Sequence, residues 1–229
     1  MPGTELDLLY EDQYLIILNK PPKMHCINTT KNQLSLQSEL GKHSPETLKL
    51  FEFGLINRID YETSGIVVFA KNEETQNFLR SIWNTEYVEK KYSALTTAQP
   101  LDPDGQPLEP PCRFECEIGQ RYRGSKKVQV CSTKLDQDQL RSVRPAESIF
   151  HSIEKIQTDR YRVEVQILTG VRHQIRAQLA FAHSPILGDE LYSGEPADRL
   201  HLHASELTIS TESTNIEINS PALFFRSPV

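Results

Sequence analysis

Apolar positions in this chain recur mostly at every second residue, the period of a strand with one buried face. Residues 6–10 and 14–19 read as two short strands around a Glu-Asp-Gln turn. Lys20-Pro21-Pro22 ends the second, because proline brings no N–H to a ladder. Residues 32–50 read as a pair of short helices or a helix and a loop, and 55–60 with 66–70 as a strand, a turn and a returning strand. Residues 88–95 alternate as a strand. Two hairpins follow, 112–118 with 127–132 and 149–156 with 161–168, separated by a polar, irregular stretch over 133–147. Residues 200–209 and 216–219 supply closing strands.

Helical spacing appears twice. Asn72 is an N-cap for a helix reaching residue 84, with Glu73 and Glu74 in its positive first turn. Phe78, Leu79, Ile82 and Trp83 form its core stripe. The second helix spans 172–182, with Ile175, Leu179 and Ala182 on one face and Arg172, Arg176 and His183 near another. Ser184-Pro185 stops it. The pattern predicts an α+β fold with a mixed, mainly antiparallel central β-sheet and flanking helices and loops.

Composition sets the frame. A chain of 229 residues buries one sizeable core, so 1–229 is expected as a single domain. Residues 100–111, with five prolines and one glycine, are where it could divide into two subdomains. Its 38% hydrophobic and 24% charged residues fit a globular protein, and no apolar run approaches the roughly 18 residues of a membrane span. The acidic N-terminus lacks a signal-type apolar stretch, so a cytoplasmic location is expected. Cys112 and Cys116 alternate with Arg113, Glu115 and Glu117, which places them on the inner face of a strand. Neither they nor Cys26 and Cys131 stand at zinc-site spacing, and no metal is expected.

Charge changes the picture more than composition does. The net charge of −6 speaks against a nucleic-acid partner only until its distribution is considered. Residues 119–134 carry Arg121, Arg123, Lys126, Lys127 and Lys134 without an acid, whereas the first twelve residues hold four acids and no base.

Three stretches hold residues that packing does not call for: Arg58 with Asp60, Lys91 with Tyr92, and Arg172, His173 and Arg176. If Ile59 points inward, alternation puts Arg58 and Asp60 together on the other face. Each stretch also has an ordinary reading. Asp60 would cap the turn at Glu62 and Thr63, Tyr92 would be a core tyrosine, and the arginines a solvated helix face.

Taken together, the three stretches resemble the pseudouridine synthases of the RluA family, within the RluA/RsuA group. Asn57-Arg58-Ile59-Asp60-Tyr61-Glu62-Thr63-Ser64-Gly65, with Ala70-Lys71, matches the family's central His-Arg-Leu-Asp-x-x-Thr-Ser-Gly motif and the strand after it. Ile17-Leu18-Asn19-Lys20-Pro21, Lys90-Lys91-Tyr92-Ser93-Ala94 and Gly170-Val171-Arg172-His173-Gln174-Ile175-Arg176 match further blocks in the family's order. So do Pro185-Ile186-Leu187-Gly188-Asp189, Leu191-Tyr192-Ser193-Gly194 and Arg199-Leu200-His201-Leu202-His203-Ala204. The resemblance covers about residues 8–209. It departs at Asn57 for His, at Lys23 where Gly often stands, and at Arg172, one place late; these departures are expected to tune substrate fit. No S4-type RNA-binding module is expected ahead of the catalytic region.

The resemblance implies isomerisation of uridine in structured RNA, rRNA or tRNA; separately from it, a monomer is expected. The bond from ribose C1′ to N1 breaks and re-forms to C5, so redox state and composition are unchanged and no cofactor is implied. Asp60 is then the catalytic carboxylate, and Arg176 the cation paired with it. Burial raises a carboxyl pKa, so a fixed guanidinium nearby keeps such a group ionised. Tyr92 would stack on the uracil. A phenol with pKa about 10 is a slow base at neutral pH, which leaves stacking as its safer role. Arg58 would fill the gap left by the flipped nucleotide, and Gly65 would serve the turn backbone. Arg172 and the basic tip with Arg121, Arg123, Lys126 and Lys127 would contact RNA phosphates. Two rivals stay open: a non-catalytic RNA-binding or chaperone protein on the same fold, and an aspartate-dependent nucleoside hydrolase.

Overall fold

A computed structural model describes residues 6–28, 34–133, 139–212 and 214–225. The chain divides into two compact units, one formed by 1–89 with 203–229 and the other by 90–202. The proline-rich stretch 100–111 falls inside the second unit.

In the first unit, β1 (Leu8–Glu11) pairs antiparallel with β2 (Leu15–Lys20), and β2 with β3 (Ser64–Ala70). Asp12 closes the β1–β2 turn, its carboxylate accepting from the N–H groups of Tyr14 and Leu15 at 2.7 Å each. All seven residues of β3 are buried, as are Leu15 to Leu18 of β2, so both strands lie deep in this unit's core. That is why they read as continuous apolar runs without alternation. Helix α1 (Leu36–His43) is capped by Ser35 in a reciprocal capping box with Ser38. Helix α2 (Glu73–Ile82) packs on β3, and Asn72 caps it through Thr75 N–H at 2.8 Å, as expected. Its stripe differs from the expected one: Gln76, Leu79 and Trp83 are buried, but Phe78 is exposed.

The expected strand over 55–60 is not formed. Leu55 makes one bridge to Phe69, and beyond Ile56 the side chain of Asn57 takes over the pairing. Asn57 Oδ1 accepts from Val68 N–H at 2.8 Å, and its Nδ2 donates to Ile66 C=O at 3.3 Å. The amide imitates a strand residue, so the main chain beyond it is freed to turn. The residue in the family's His position therefore serves β3.

The second unit is built on β4 (Val88–Thr96), β5 (Cys112–Gln120), β6 (Gln129–Val130), β7 (Arg141–Gln157) and β8 (Arg160–Ile167). They pair antiparallel in the order β4-β8-β7-β5-β6. Both expected hairpins are present, the second turning at Thr158 and Asp159. The expectation for 133–147 fails, because β7 begins at Arg141 and runs seventeen residues. Residues 134–138, including Lys134, lie outside the described part. From Arg141 to Glu147 only β5 flanks β7, while β8 joins from Ser148 onward. One-sided pairing tolerates exposed side chains and accommodates Pro145, whose missing N–H can face away from β5.

Helix α3 (Gln174–Phe181) packs on β5 and β6. It starts two residues later than expected, because His173 takes a left-handed φ of 55°. Arg172 is therefore outside the helix and exposed, Arg176 is buried within it, and His183 lies beyond its end and exposed. The expected shared face of these three residues does not exist.

The chain closes with β9 (Leu202–Ser210) and β10 (Asn215–Asn219), antiparallel to each other in the first unit. There β3 meets β9 in parallel at Ser64–His203 and Gly65–Ala204, the mixed element of a mainly antiparallel α+β fold. Gly65 does more than serve a turn. Its φ is +113°, and a Cβ there would stand 2.3 Å from Ala204 O. Replacing Gly65 with Ala should cost about 2–4 kcal/mol, from backbone strain plus a clash with main chain, measured as a lower urea midpoint with unchanged m-value.

Candidate active site

In the first unit Ile59 is buried, Arg58 exposed and Asp60 half-buried, the alternation expected of this segment. Thr63 N–H donates to Asp60 C=O at 3.2 Å and closes the turn main chain to main chain. The residues flanking Asp60 are fixed one after another. Cys26 Sγ donates to Ile59 C=O at 3.4 Å. Lys20 is fully buried, and its ammonium donates to the carbonyls of Pro21 (2.9 Å), Met24 (2.8 Å) and Tyr61 (3.2 Å). An ammonium has three N–H donors, and these three carbonyls match them. The same lysine therefore ties the end of β2 and the loop after it to the residue following Asp60. Lys23 lies in that loop at φ 60°, a conformation that favours the Gly often found there.

Beyond the turn, Ser64 Oγ lies 2.7 Å from His203 Nδ1, and His203 Nε2 lies 2.8 Å from Ser220 C=O. A carbonyl only accepts, so Nε2 carries the proton, Nδ1 accepts, and Ser64 donates. Tyr61 stacks on His25 with ring centroids 4.6 Å apart.

In the second unit Arg176 forms a two-pronged ion pair with Asp189, Nε to Oδ2 and Nη2 to Oδ1, both at 2.7 Å. The side chains are 7% and 0% exposed, so the exposed-arginine reading of Arg176 fails. The loop after α3 places the carboxylate. Tyr192 and Gly194 N–H groups donate to Asp189 C=O at 3.1 and 2.8 Å. Gly188, at φ +81°, lies so close to Arg199 C=O that a Cβ would overlap it at 1.8 Å. The guanidinium also sits over the Tyr192 ring, 5.2 Å from its centroid. Tyr92 is on β4, opposite Val165, and 9% exposed.

Amides hold α3 in place. Gln174 accepts from Thr169 Oγ1 and Val171 N–H and donates to Glu147 C=O and Ser148 Oγ, while Ser148 Oγ donates to Gln178. Every residue from Gln174 to Leu179 is buried, so polar side chains on this helix are partnered rather than solvated.

The sequence pattern of the RNA pseudouridylate synthase family matches residues 14–181. The chain belongs to that family. The ribosomal large subunit pseudouridine synthase C of Rickettsia prowazekii (strain Madrid E) is 27% identical over 219 residues, 94% of this chain and 67% of the relative. A mitochondrial pseudouridylate synthase of Rattus norvegicus is 30% identical over 81% of this chain and 51% of its own length. The chain thus spans about two thirds of one and about half of the other. Among solved structures, human RNA pseudouridylate synthase domain containing 1 superposes with a TM-score of 0.74 at 20% identity, covering 98% of this chain and 87% of that one. The corresponding figures for human domain containing 4 are 0.69, 22%, 94% and 88%. These likenesses bear out the expected fold, and the family bears out the expected class, an isomerase acting on uridine in RNA.

Two features of the chain were not read from its sequence. Asp189 and Lys20 stood inside matched motifs, but their tasks depend on loop geometry that spacing does not reveal. The cysteines are free thiols, and burial pushes Cys116 up to about 11, which keeps it protonated at neutral pH. Among the described residues no group of three or more His, Cys, Asp or Glu is placed to hold a metal. The basic tip and Arg172 do meet: Arg172 Nη2 donates to Ser125 C=O at 2.6 Å, and Lys127 Nζ lies 4.8 Å from the Tyr192 ring centroid.

Asp189→Ala removes the carboxylate along one edge of a buried guanidinium and should cost about 3–5 kcal/mol in urea unfolding. The double variant Arg176→Met, Asp189→Leu, which removes both charges, should recover most of that loss; a double variant as unstable as the single one would contradict the pairing.

Proposed function

We propose that this protein converts specific uridines of ribosomal RNA to pseudouridine, with Asp60 as the catalytic carboxylate and no cofactor. The observation that carries this reading is the turn around Asp60. A half-buried carboxylate projects from a segment whose neighbours on both sides are fixed by Lys20, Cys26, Ser64 and His203. Catalysis by a charged group rewards such fixed placement, since no reorganisation remains to be done when the reaction occurs. The ribosomal substrate is supported by the name of the Rickettsia relatives.

By the match of its motif, Arg176 is assigned as the cation of the reaction. It stays protonated at any working pH, and its clamp by Asp189 sets the direction of its fork. Tyr92 stacks on the uracil. Arg58, exposed beside Asp60, stacks in the vacancy that the flipped nucleotide leaves, offsetting part of an extrusion cost of a few kcal/mol. The isomerisation returns all atoms to one product, so neither an electron acceptor nor a group donor enters the chemistry.

The test is to incubate wild type, Asp60→Ala and Arg176→Ala with total RNA and map pseudouridine chemically. New sites in ribosomal RNA are expected from wild type alone, and Arg176→Ala should lose turnover while binding RNA within a few-fold of wild type. Sites confined to tRNA would move the substrate. Activity surviving in Asp60→Ala would remove that residue from the mechanism, and released uracil would make the protein a hydrolase.

A further inference from the structure

The second unit carries a basic face larger than the hairpin tip identified from sequence. β7 pairs Arg141 with Gln120, directly before the tip, and Arg144 with Ile118. Arg141 and Arg144 are exposed, as are Arg121, Arg123, Lys126 and Arg172, and none of these six is ion-paired to a described residue. Of the neighbouring acids, Glu115 and Glu147 both pair with Arg113, which cancels one of their two charges and leaves the six cations in excess. In a chain of net charge −6 this is a local inversion of sign.

Tyr122 lies between Arg121 and Arg123 in the hairpin tip and is 63% exposed. Its ring makes no stacking contact with a described residue. The loop that presents it is anchored, which lowers the entropic cost of using the ring as a platform. Ser125 N–H donates to Tyr122 C=O at 3.1 Å, Ser125 C=O accepts from Arg172, and Val128 N–H donates to Tyr192 Oη at 3.1 Å. Arg121 is steadied by its Nε bond to Gln129 Oε1 at 3.0 Å.

Exposed cations around an exposed, pre-positioned aromatic ring form the combination that binds unpaired nucleotides: charge holds the phosphates and the ring takes a base face. Phosphate contacts alone would need no tyrosine, whereas an unpaired base gives the ring a planar partner beside the phosphates that the cations hold. We propose that this face docks the RNA substrate outside the reacting nucleotide, and that Tyr122 stacks on one unpaired base while Arg141 and Arg144 extend the phosphate track. The inference rests on the RNA substrate proposed above and adds that the RNA is held at an unpaired segment.

The test uses fluorescence anisotropy on the full chain, with a labelled RNA hairpin bearing an unpaired loop and a fully paired duplex of the same length, between 50 and 200 mM salt. Tyr122→Ala should weaken hairpin binding about 5- to 150-fold, leave duplex binding within about twofold, and keep the slope of log K against log salt. Tyr122→Phe should bind like wild type. Arg141→Ala should weaken both RNAs and reduce the slope by about 0.7 to 0.9. Unchanged hairpin binding by Tyr122→Ala, or equal loss on hairpin and duplex, would overturn the stacking role, and a wild type that binds neither RNA would overturn the docking face. Pseudouridine formed by the same wild-type preparation decides the enzyme reading separately. A tyrosine-dependent preference for the hairpin without any pseudouridine would keep this face and remove the activity.

Discussion

A buried ammonium sets the geometry around Asp60. Lys20 is the last residue of β2, it is fully buried, and its three N–H groups meet three carbonyls belonging to two different segments. A buried charge left without donors or acceptors costs several kcal/mol, so this arrangement admits little play. One of the carbonyls belongs to Tyr61. The position of the residue after Asp60 is therefore tied to the end of a strand whose register is fixed by β1 and β3. Asn57 and Gly65 complete the frame: an amide replaces main chain before the turn, and a missing side chain lets β9 approach after it.

The second unit also fixes a buried cation, here through an ion pair. A buried ion pair adds little net stability, since desolvating both partners offsets their attraction. What the Arg176–Asp189 pair supplies is direction. Two parallel hydrogen bonds fix the guanidinium plane, and the Tyr192 ring lies against it. Tyr192 also reaches the basic loop through Val128, so the arginine expected to hold a carboxylate and the loop expected to hold RNA share one side chain as support.

Periodicity made legible those parts of the fold whose environment is uniform along an element. β2 and β3 follow from continuous apolar runs, and β4, both hairpins and the Asn72-capped helix from alternation, breakers and caps. Two of the misses share a cause, a local rule overridden by pairing, and the third is a backbone conformation. Residues 141–147 form strand without alternating apolar positions because only one neighbour flanks them. Residues 57–60 look like strand but do not pair, because the Asn57 amide substitutes for backbone. α3 begins late because His173 adopts a left-handed conformation, which spacing alone does not foretell. Among the candidate site residues, motif order singled out Arg58, Asp60, Tyr92 and Arg176, and the structure shows Arg58 exposed, Asp60 half-buried, and Tyr92 and Arg176 buried. The residues that orient them were not singled out, since Lys20 and Asp189 act through contacts far apart in sequence.

The central claim is that Asp60 drives an isomerisation at uridine C5, and hydrogen release from that carbon reports it most directly. RNA carrying tritium at uridine C5 should release one tritium to water for each pseudouridine formed when treated with wild-type protein. Asp60→Asn, with an unchanged melting temperature, should release none. Equal release from the variant, or pseudouridine formed without tritium loss, would contradict the account.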